Sequence, residues 1–252
     1  MNRAADTEAT KASTQSGNGL VLNGVSLAID DTVLIHQLDL LIKPGEIVTL
    51  MGPSGSGKSS LLALIAGVLS PAIQSTGTIK LNGKALNGLP TAERRVGLLF
   101  QDPLLFPHMS VGENLAFALP HQIKGAARKQ AVKAALDQAE MAGFENRDPA
   151  TLSGGQQSRV SLLRTLLAQP EALLLDEPYS RLDQTLRESF RSYVQALVQD
   201  KKLPTLLVTH DADDAPVYPD SAFDAQTGDE DSEKCGSRRR GKVLQMSELA
   251  TR

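Results

Sequence analysis

Residues 47–66 read IVTLMGPSGSGKSSLLALIA, and the order of residue types in this stretch decides the architecture. Ile47–Met51 is a compact run without a charge, as a strand buried on both faces requires. It breaks into Gly52-Pro53-Ser54-Gly55-Ser56-Gly57-Lys58-Ser59-Ser60, which satisfies G-x-x-x-x-G-K-[ST]. Leu62, Ile65, Ala66 and Leu69 then recur at helical spacing. Glycines between a strand and a helix let backbone N–H groups curl around phosphate oxygens that bulkier side chains would obstruct. The helix N-terminus adds a favourable dipole. Lys58 is expected to neutralise the β- and γ-phosphates of a nucleoside triphosphate, and the Ser59 hydroxyl to ligate Mg²⁺.

Outward from this stretch, three more apolar runs read as buried strands: Val96–Phe100, Ala172–Leu175 and Thr205–Val208. Each runs directly into polar residues, at the sheet edge where ligands of open α/β folds sit. Residues 20–48 read as short strands around turns, with hairpin signals at Asn23-Gly24 and, after Thr78–Leu81, at Asn82-Gly83. A helix-rich insert occupies roughly residues 103–168, where Val132, Ala135, Leu136 and Ala139 share one helix face. The expected fold is α/β: a P-loop NTPase with a mostly parallel core sheet, an N-terminal antiparallel β-subdomain and an inserted helical subdomain. The ATPase domain is expected to span 19–252, after a disordered lead over 1–18. Residues 211–235 carry Pro216, Pro219 and Asp229-Glu230-Asp231 and read as a loosely ordered acidic segment. The run Arg238-Arg239-Arg240 reads as a solvated patch.

Composition narrows the function. A formal net charge of −3 argues against a general nucleic-acid binder, so no nucleic-acid partner is expected. The single cysteine, Cys235, excludes an internal disulfide and any multi-cysteine metal site. The first 18 residues lack an apolar core, and the longest apolar stretch, Leu61–Leu69, is too short to span a bilayer. A cytoplasmic protein is expected, with any membrane association made through a partner.

A phosphate loop alone says only nucleoside triphosphate; the discrimination lies downstream. Leu173-Leu174-Leu175-Asp176-Glu177-Pro178 is a buried strand ending in two carboxylates. Asp176 can hold Mg²⁺, and Glu177 can polarise the water that attacks the γ-phosphate. In Leu152-Ser153-Gly154-Gly155-Gln156, the Ser153–Gln156 spacing is that of a helix capping box. A capped helix start accounts for Ser153 and Gln156 but not for the glycine pair, which would bare a second phosphate-binding helix end.

The phosphate loop, LSGGQ and LLLDEP together resemble the nucleotide-binding subunit of an ABC transporter, over about residues 20–210. The resemblance implies a head-to-tail homodimer with two ATP molecules sandwiched between the phosphate loop of one subunit and LSGGQ of the other. Ser153, Gly154, Gly155 and Gln156 would then contact the ATP held by the partner subunit. It further implies that Gln101 senses Mg²⁺ and the attacking water, that Asp183 in Ser180-Arg181-Leu182-Asp183 meets the dimer interface, and that His210 bonds the γ-phosphate. The segment Asp102–Met109 would receive a membrane permease. The stretch FQDPLLFPHMSVGENLAFAL (Phe100–Leu119) and the context DEPYSRLD are similar to importer ATPases for iron, polyamines, thiamine and related small solutes. LMGPSGSGKSS, LPTAERR and DPATLSGGQ are similar to a bacterial YnjD-like subgroup. The implied partners are integral-membrane permease subunits and a solute-binding protein, with the chain on the cytoplasmic face of the membrane. An exporter or lipid-handling complex, or a soluble ATPase acting on DNA or ribosomes, are the alternatives. Where the family stacks adenine on an aromatic, the register puts Ile29.

Overall fold

Short apolar runs bounded by glycine, proline or charge become strands here, and the amphipathic stretches between them become helices. The computed structural model describes residues 18–219, 234–235 and 238–246. The expected disordered lead, apart from its last residue, and the middle of the acidic segment lie outside these residues. In chain order the elements are β1 (Leu20–Ile29), β2 (Thr32–Ile42), β3 (Ile47–Met51), α1 (Lys58–Ala66), β4 (Ile73–Leu81), β5 (Lys84–Ala85) and α2 (Thr91–Arg94). There follow β6 (Val96–Leu99), α3 (Val111–Ala118), α4 (Gly125–Gln138), α5 (Gly154–Leu167), β7 (Ala172–Asp176), α6 (Gln184–Lys201) and β8 (Thr205–Thr209). Last come β9 (Val217–Pro219), β10 (Lys234–Cys235), β11 (Arg238–Arg240) and β12 (Val243–Gln245).

All four apolar runs are strands of one sheet, ordered β12-β3-β8-β7-β6 and parallel throughout. β7 shows why its sequence reads as an unbroken apolar run. Ala172 and Leu174 face a core shared with α1 and the N-terminal strands, whereas Leu173 and Leu175 face a second core with α6. The hydrophobicity ends at Asp176, where the strand reaches the sheet edge. A strand buried on both faces needs no alternation.

The N-terminal strands form an antiparallel sheet, β2-β1-β4-β5. Asn82-Gly83 makes the expected tight turn, with φ of 49° and 81°. Asn23-Gly24 does not turn the chain: it is a bulge inside β1, and the hairpin loop is Asp30-Asp31. Buried Leu20 and Leu22 are followed by buried Val25 and Leu27, so one extra residue is absorbed between them. The register shifts against both neighbouring strands at this point. Gly77 completes the bulge, because a Cβ there would lie 2.6 Å from the Gly24 carbonyl oxygen. The positive φ that Asn-Gly favours serves a bulge as well as a turn.

Helices α3, α4 and α5 enclose a third core, with the expected Val132, Ala135, Leu136 and Ala139 among its buried residues. α5 joins this core to the sheet. Its Val160 and Leu163 enter the helical core, while Leu162 and Leu166 enter the sheet core. Beyond β8 the chain makes a 3-10 turn at Ala212–Asp214 and then β9, which joins β11 and β10 in a small antiparallel sheet. β12 returns beside β3.

Candidate functional site

Four loops leave the carboxyl edge of the parallel sheet side by side. They follow β3, β8, β7 and β6 and carry, in that order, the phosphate loop, His210, Asp176-Glu177 and Gln101. They line one cleft of about 550 Å³, whose walls include Ser54, Gly55, Gly57, Lys58, Ser59 and Ser60 with Gln101, Asp176, Glu177 and His210. That volume suits a small-molecule ligand, for which pockets run to roughly 300–1,000 Å³.

The phosphate loop ends at the N-terminus of α1. No side chain caps this helix, and its first turn carries no acidic residue, so its free N–H groups are available to an anion. Gly57 is the N-cap at φ 92°, and a Cβ on it would come 3.0 Å from Leu34 Cβ. Lys58 is buried, and its Nζ donates to the carbonyls of Gly52 (2.7 Å) and Pro53 (2.8 Å). A third ammonium proton is left for a phosphate oxygen.

Burial pushes the Asp176 carboxyl above the usual carboxylate range, a hydrogen bond from Ser59 pulls it back, and Glu177 raises it further while Lys58 lowers it. A hydroxyl bonded to a carboxylate whose charge is disfavoured is an incomplete oxygen-donor pair. It fits Mg²⁺, which is held by one or two carboxylates together with substrate phosphates. Among the described residues no three His, Cys, Asp or Glu side chains cluster as a metal cage. The sign of the effect on stability follows. Asp176 titrates higher folded than unfolded, so its ionisation costs folding free energy as pH rises past the unfolded value, and the cost persists at neutral pH. Asp176→Asn is therefore expected to raise the Tm of the nucleotide-free protein. Scanning calorimetry checks it; an unchanged or lower Tm contradicts the argument.

Glu177 takes φ +46°, a left-handed conformation that costs a bulky residue free energy and recurs at functional sites. Its N–H donates to the Val208 carbonyl at 2.9 Å, and its own carbonyl accepts from the Ser180 hydroxyl at 2.9 Å. The side chain turns into the cleft, where Oε1 lies 2.9 Å from His210 Nδ1 and Oε2 accepts from Gln101 Nε2 at 3.4 Å. Residues 101, 177 and 210 thus converge from three separate loops.

None of Ser153, Gly154, Gly155 and Gln156 lines this cleft. They start α5 with a complete capping box: Ser153 Oγ accepts from the Gln156 N–H at 3.3 Å, and Gln156 Oε1 accepts from the Ser153 N–H at 3.0 Å. Gly154 is exposed and Gly155 buried. A Cβ on Gly155 would meet Leu182 Cδ2 at 2.7 Å, so the second glycine serves close packing within the chain. Asp183 is exposed and caps α6 through a bond from the Leu186 N–H at 3.0 Å. Arg181 beside it forms an ion pair with Asp102.

One cleft residue, Leu34, escapes sequence reasoning. It lies over the glycine loop, whereas Ile29 ends β1 paired with Thr32 and Ile73 and does not line the cleft. Val33, Leu34 and Ile35 are all apolar, so alternation gives no signal for which one faces the ligand.

A parallel sheet with a glycine-rich phosphate loop, an uncapped helix and strand-end carboxylates at one edge defines a phosphate-loop nucleoside triphosphatase. The family described as ABC transporter matches residues 35–180. The uncharacterized ABC transporter ATP-binding protein YnjD of Escherichia coli K12 is 50% identical over 197 residues, 78% of this chain and 91% of that protein. The Fe(3+) ions import ATP-binding protein FbpC of Mannheimia succiniciproducens is 42% identical over 202 residues, and the match spans 80% of this chain but 57% of FbpC. Among solved structures, the dimeric ABC transporter cassette MJ0796 superposes with a TM-score of 0.68 at 30% identity, covering 77% of this chain and 89% of that one. The chain belongs to the ABC transporter family, as one of its ATP-binding ATPases.

Proposed function

We propose that this chain hydrolyses ATP to energise a membrane importer of a small solute, working as a head-to-tail homodimer on the cytoplasmic face of the membrane. The observation that carries the reading is the separation of two half-sites. Lys58, Glu177, Gln101 and His210 meet in one cleft, while exposed Ser153 and Gly154 lie outside it, at a helix end open to a second molecule. Import is supported by relatives named for it, among them FbpC and the spermidine/putrescine import ATP-binding protein PotA of Oleidesulfovibrio alaskensis, 41% identical over 197 residues. No helix among the described residues is long and apolar enough to cross a membrane, so contact with the bilayer falls to permease subunits, with a solute-binding protein completing the complex.

In this reading the glycine loop and Lys58 grip the β- and γ-phosphates. Ser59, Asp176 and Gln101 are the residues that would hold Mg²⁺, which supplies positive charge against the phosphate oxygens. Gln101 orients a water beside Glu177. As that water's oxygen bonds to the γ-phosphorus, Glu177 takes its proton and the bond to the ADP oxygen breaks, leaving ADP and phosphate. His210 donates to the γ-phosphate and steadies Glu177. Ser153 and Gly154 contact the partner's γ-phosphate only while it is present, so its release lets the dimer open.

Force would leave through the surface beside Gln101, where Leu104 and Phe117 are 56% and 63% exposed. Phe117 stacks edge-on against Phe106 at 5.0 Å. Such a patch on a polar rim marks a protein interface. Leu104→Ser with Phe117→Ser is expected to abolish co-purification of a permease from native membranes while basal ATPase stays within about twofold, since neither residue lines the nucleotide cleft. Recovery of an integral-membrane partner with the wild-type chain supports the proposal. Recovery of ribosomes or DNA at physiological salt, with no membrane protein, overturns it.

A further inference from the structure

Arg187 stands behind the phosphate cleft, yet it touches both backbone segments that carry the cleft's acid–base pair. It projects from the first turn of α6. Its Nη1 donates to Asp211 Oδ2 at 2.5 Å, and its Nε donates to the Tyr179 carbonyl at 3.4 Å. Its Nε also lies 3.6 Å from Asp214 Oδ1. Asp211 is the residue after His210, and Tyr179 is two residues beyond Glu177. Both aspartates are anchored to the end of β8. Thr209 Oγ1 donates to Asp214 Oδ2 at 2.6 Å and accepts from the Asp211 N–H at 3.1 Å. Asp214 is buried, and its Oδ1 has no hydrogen-bond partner; the Arg187 guanidinium faces it, and the charge of Arg191 also acts on it.

We infer that Arg187 is a positioning residue for ATP hydrolysis: its guanidinium fixes the separation of the Glu177 and His210 segments and so keeps Glu177 Oε1 within bonding reach of His210 Nδ1. The inference rests on the roles proposed above for Glu177 and His210. The planar fork presents donors in fixed directions, so binding a carbonyl on one segment and a carboxylate on the other sets a distance, which a single ammonium cannot do. His210 needs such a tether, because its side chain is 61% exposed and bonds to Glu177 itself. Main-chain pairing ties the strand ends themselves, with the Glu177 N–H on the Val208 carbonyl, and Arg191 from the same helix donates to the Asp213 carbonyl; Arg187 adds the side-chain link between the two loops beyond the strands. On its outer side Arg187 borders an open cleft of about 490 Å³ with Leu182, Glu188, Arg191 and Asp213. A displacement of about 1 Å at a reacting group costs on the order of 100-fold in rate.

The test uses full-length protein carrying Arg187→Ala or Arg187→Lys. ATP affinity is read with a fluorescent nucleotide, folding by thermal melting, and hydrolysis by single-turnover and steady-state assays. Both variants are expected to bind MgATP within about threefold of wild type while kcat falls at least about 10-fold. In a His210→Ala background, Arg187→Lys is expected to lower the residual rate by less than about twofold, because residues acting as a unit are not additive. Should Arg187→Ala fail to fold, Arg187→Lys, which keeps the charge and most of the stem, carries the test. A lower Tm with wild-type kcat per folded molecule means a structural role only and overturns the inference. So does a loss of affinity in step with kcat, or a full effect of Arg187→Lys in the His210→Ala background. Wild-type hydrolysis by Glu177→Gln or His210→Ala alone would sink the site reading itself and the inference with it.

Discussion

Glu177→Gln is expected to bind ATP as wild type does and to hydrolyse it at least about 100-fold more slowly, since a positioned general base contributes roughly 10²–10⁴ in rate. The amide has the shape of the carboxylate. Its oxygen can still accept from Gln101 Nε2, and its NH2 can donate to His210 Nδ1 in the ring tautomer that leaves that nitrogen unprotonated, the two contacts that Oε2 and Oε1 make now. It cannot take the proton of the attacking water. The left-handed backbone at residue 177 depends on main-chain bonds to Val208 and Ser180, so the substitution leaves the loop in place. With hydrolysis stopped and the γ-phosphate retained, the contacts that close the dimer persist. The variant is therefore expected to elute with ATP at about twice the 26.9 kDa monomer mass and to revert to monomer with ADP. Wild-type turnover by a protein that remains monomeric would sink both the assignment of the base and the sandwich.

Lys58→Ala is expected to weaken ATP binding at least about 100-fold, within the 2–5 kcal/mol that truncating one partner of a buried charge pair costs. The ammonium has two functions. It draws the Gly52 and Pro53 carbonyls inward at 2.7 and 2.8 Å, which holds the loop in its curled form, and it is the buried cation of the cleft. Alanine leaves two carbonyl oxygens facing the space that phosphate oxygens must enter, so attraction becomes repulsion. Isothermal titration measures the loss directly. The rise in Tm that ATP gives the wild type should vanish with it. An unchanged affinity would mean that phosphate is held elsewhere.

Much of the fold and the cleft was legible because the signals are local. Ile47–Met51, four apolar residues around Thr49, shows no alternation because β3 lies between two other strands of a covered sheet. Gly57 must reach φ 92°, and Ser153 and Gln156 cap a helix start three residues apart; each demand is met by residue type alone. Asn23-Gly24 misled because a turn and a bulge ask the same backbone conformation of the same dipeptide. Only pairing on both flanks of β1 distinguishes them. Leu34 went unseen for a related reason, since which residue of an apolar triplet faces the glycine loop depends on how one sheet is laid against another.

The glycine pair marks the boundary between the two sources of information. Sequence asks why two glycines follow Ser153; the fold answers differently for each, with Gly154 open and Gly155 pressed against Leu182. Sequence by itself determined the strand–loop–helix unit, the strand-end carboxylates and the capped helix, because each is dictated by the conformational limits and polarity of neighbouring residues. Tertiary structure alone decided that Gln101, Glu177 and His210 meet within hydrogen-bond reach and that Arg187 ties two of their segments together. Those distances depend on parallel strands far apart in the chain ending at one edge, and no local preference of a residue carries that information.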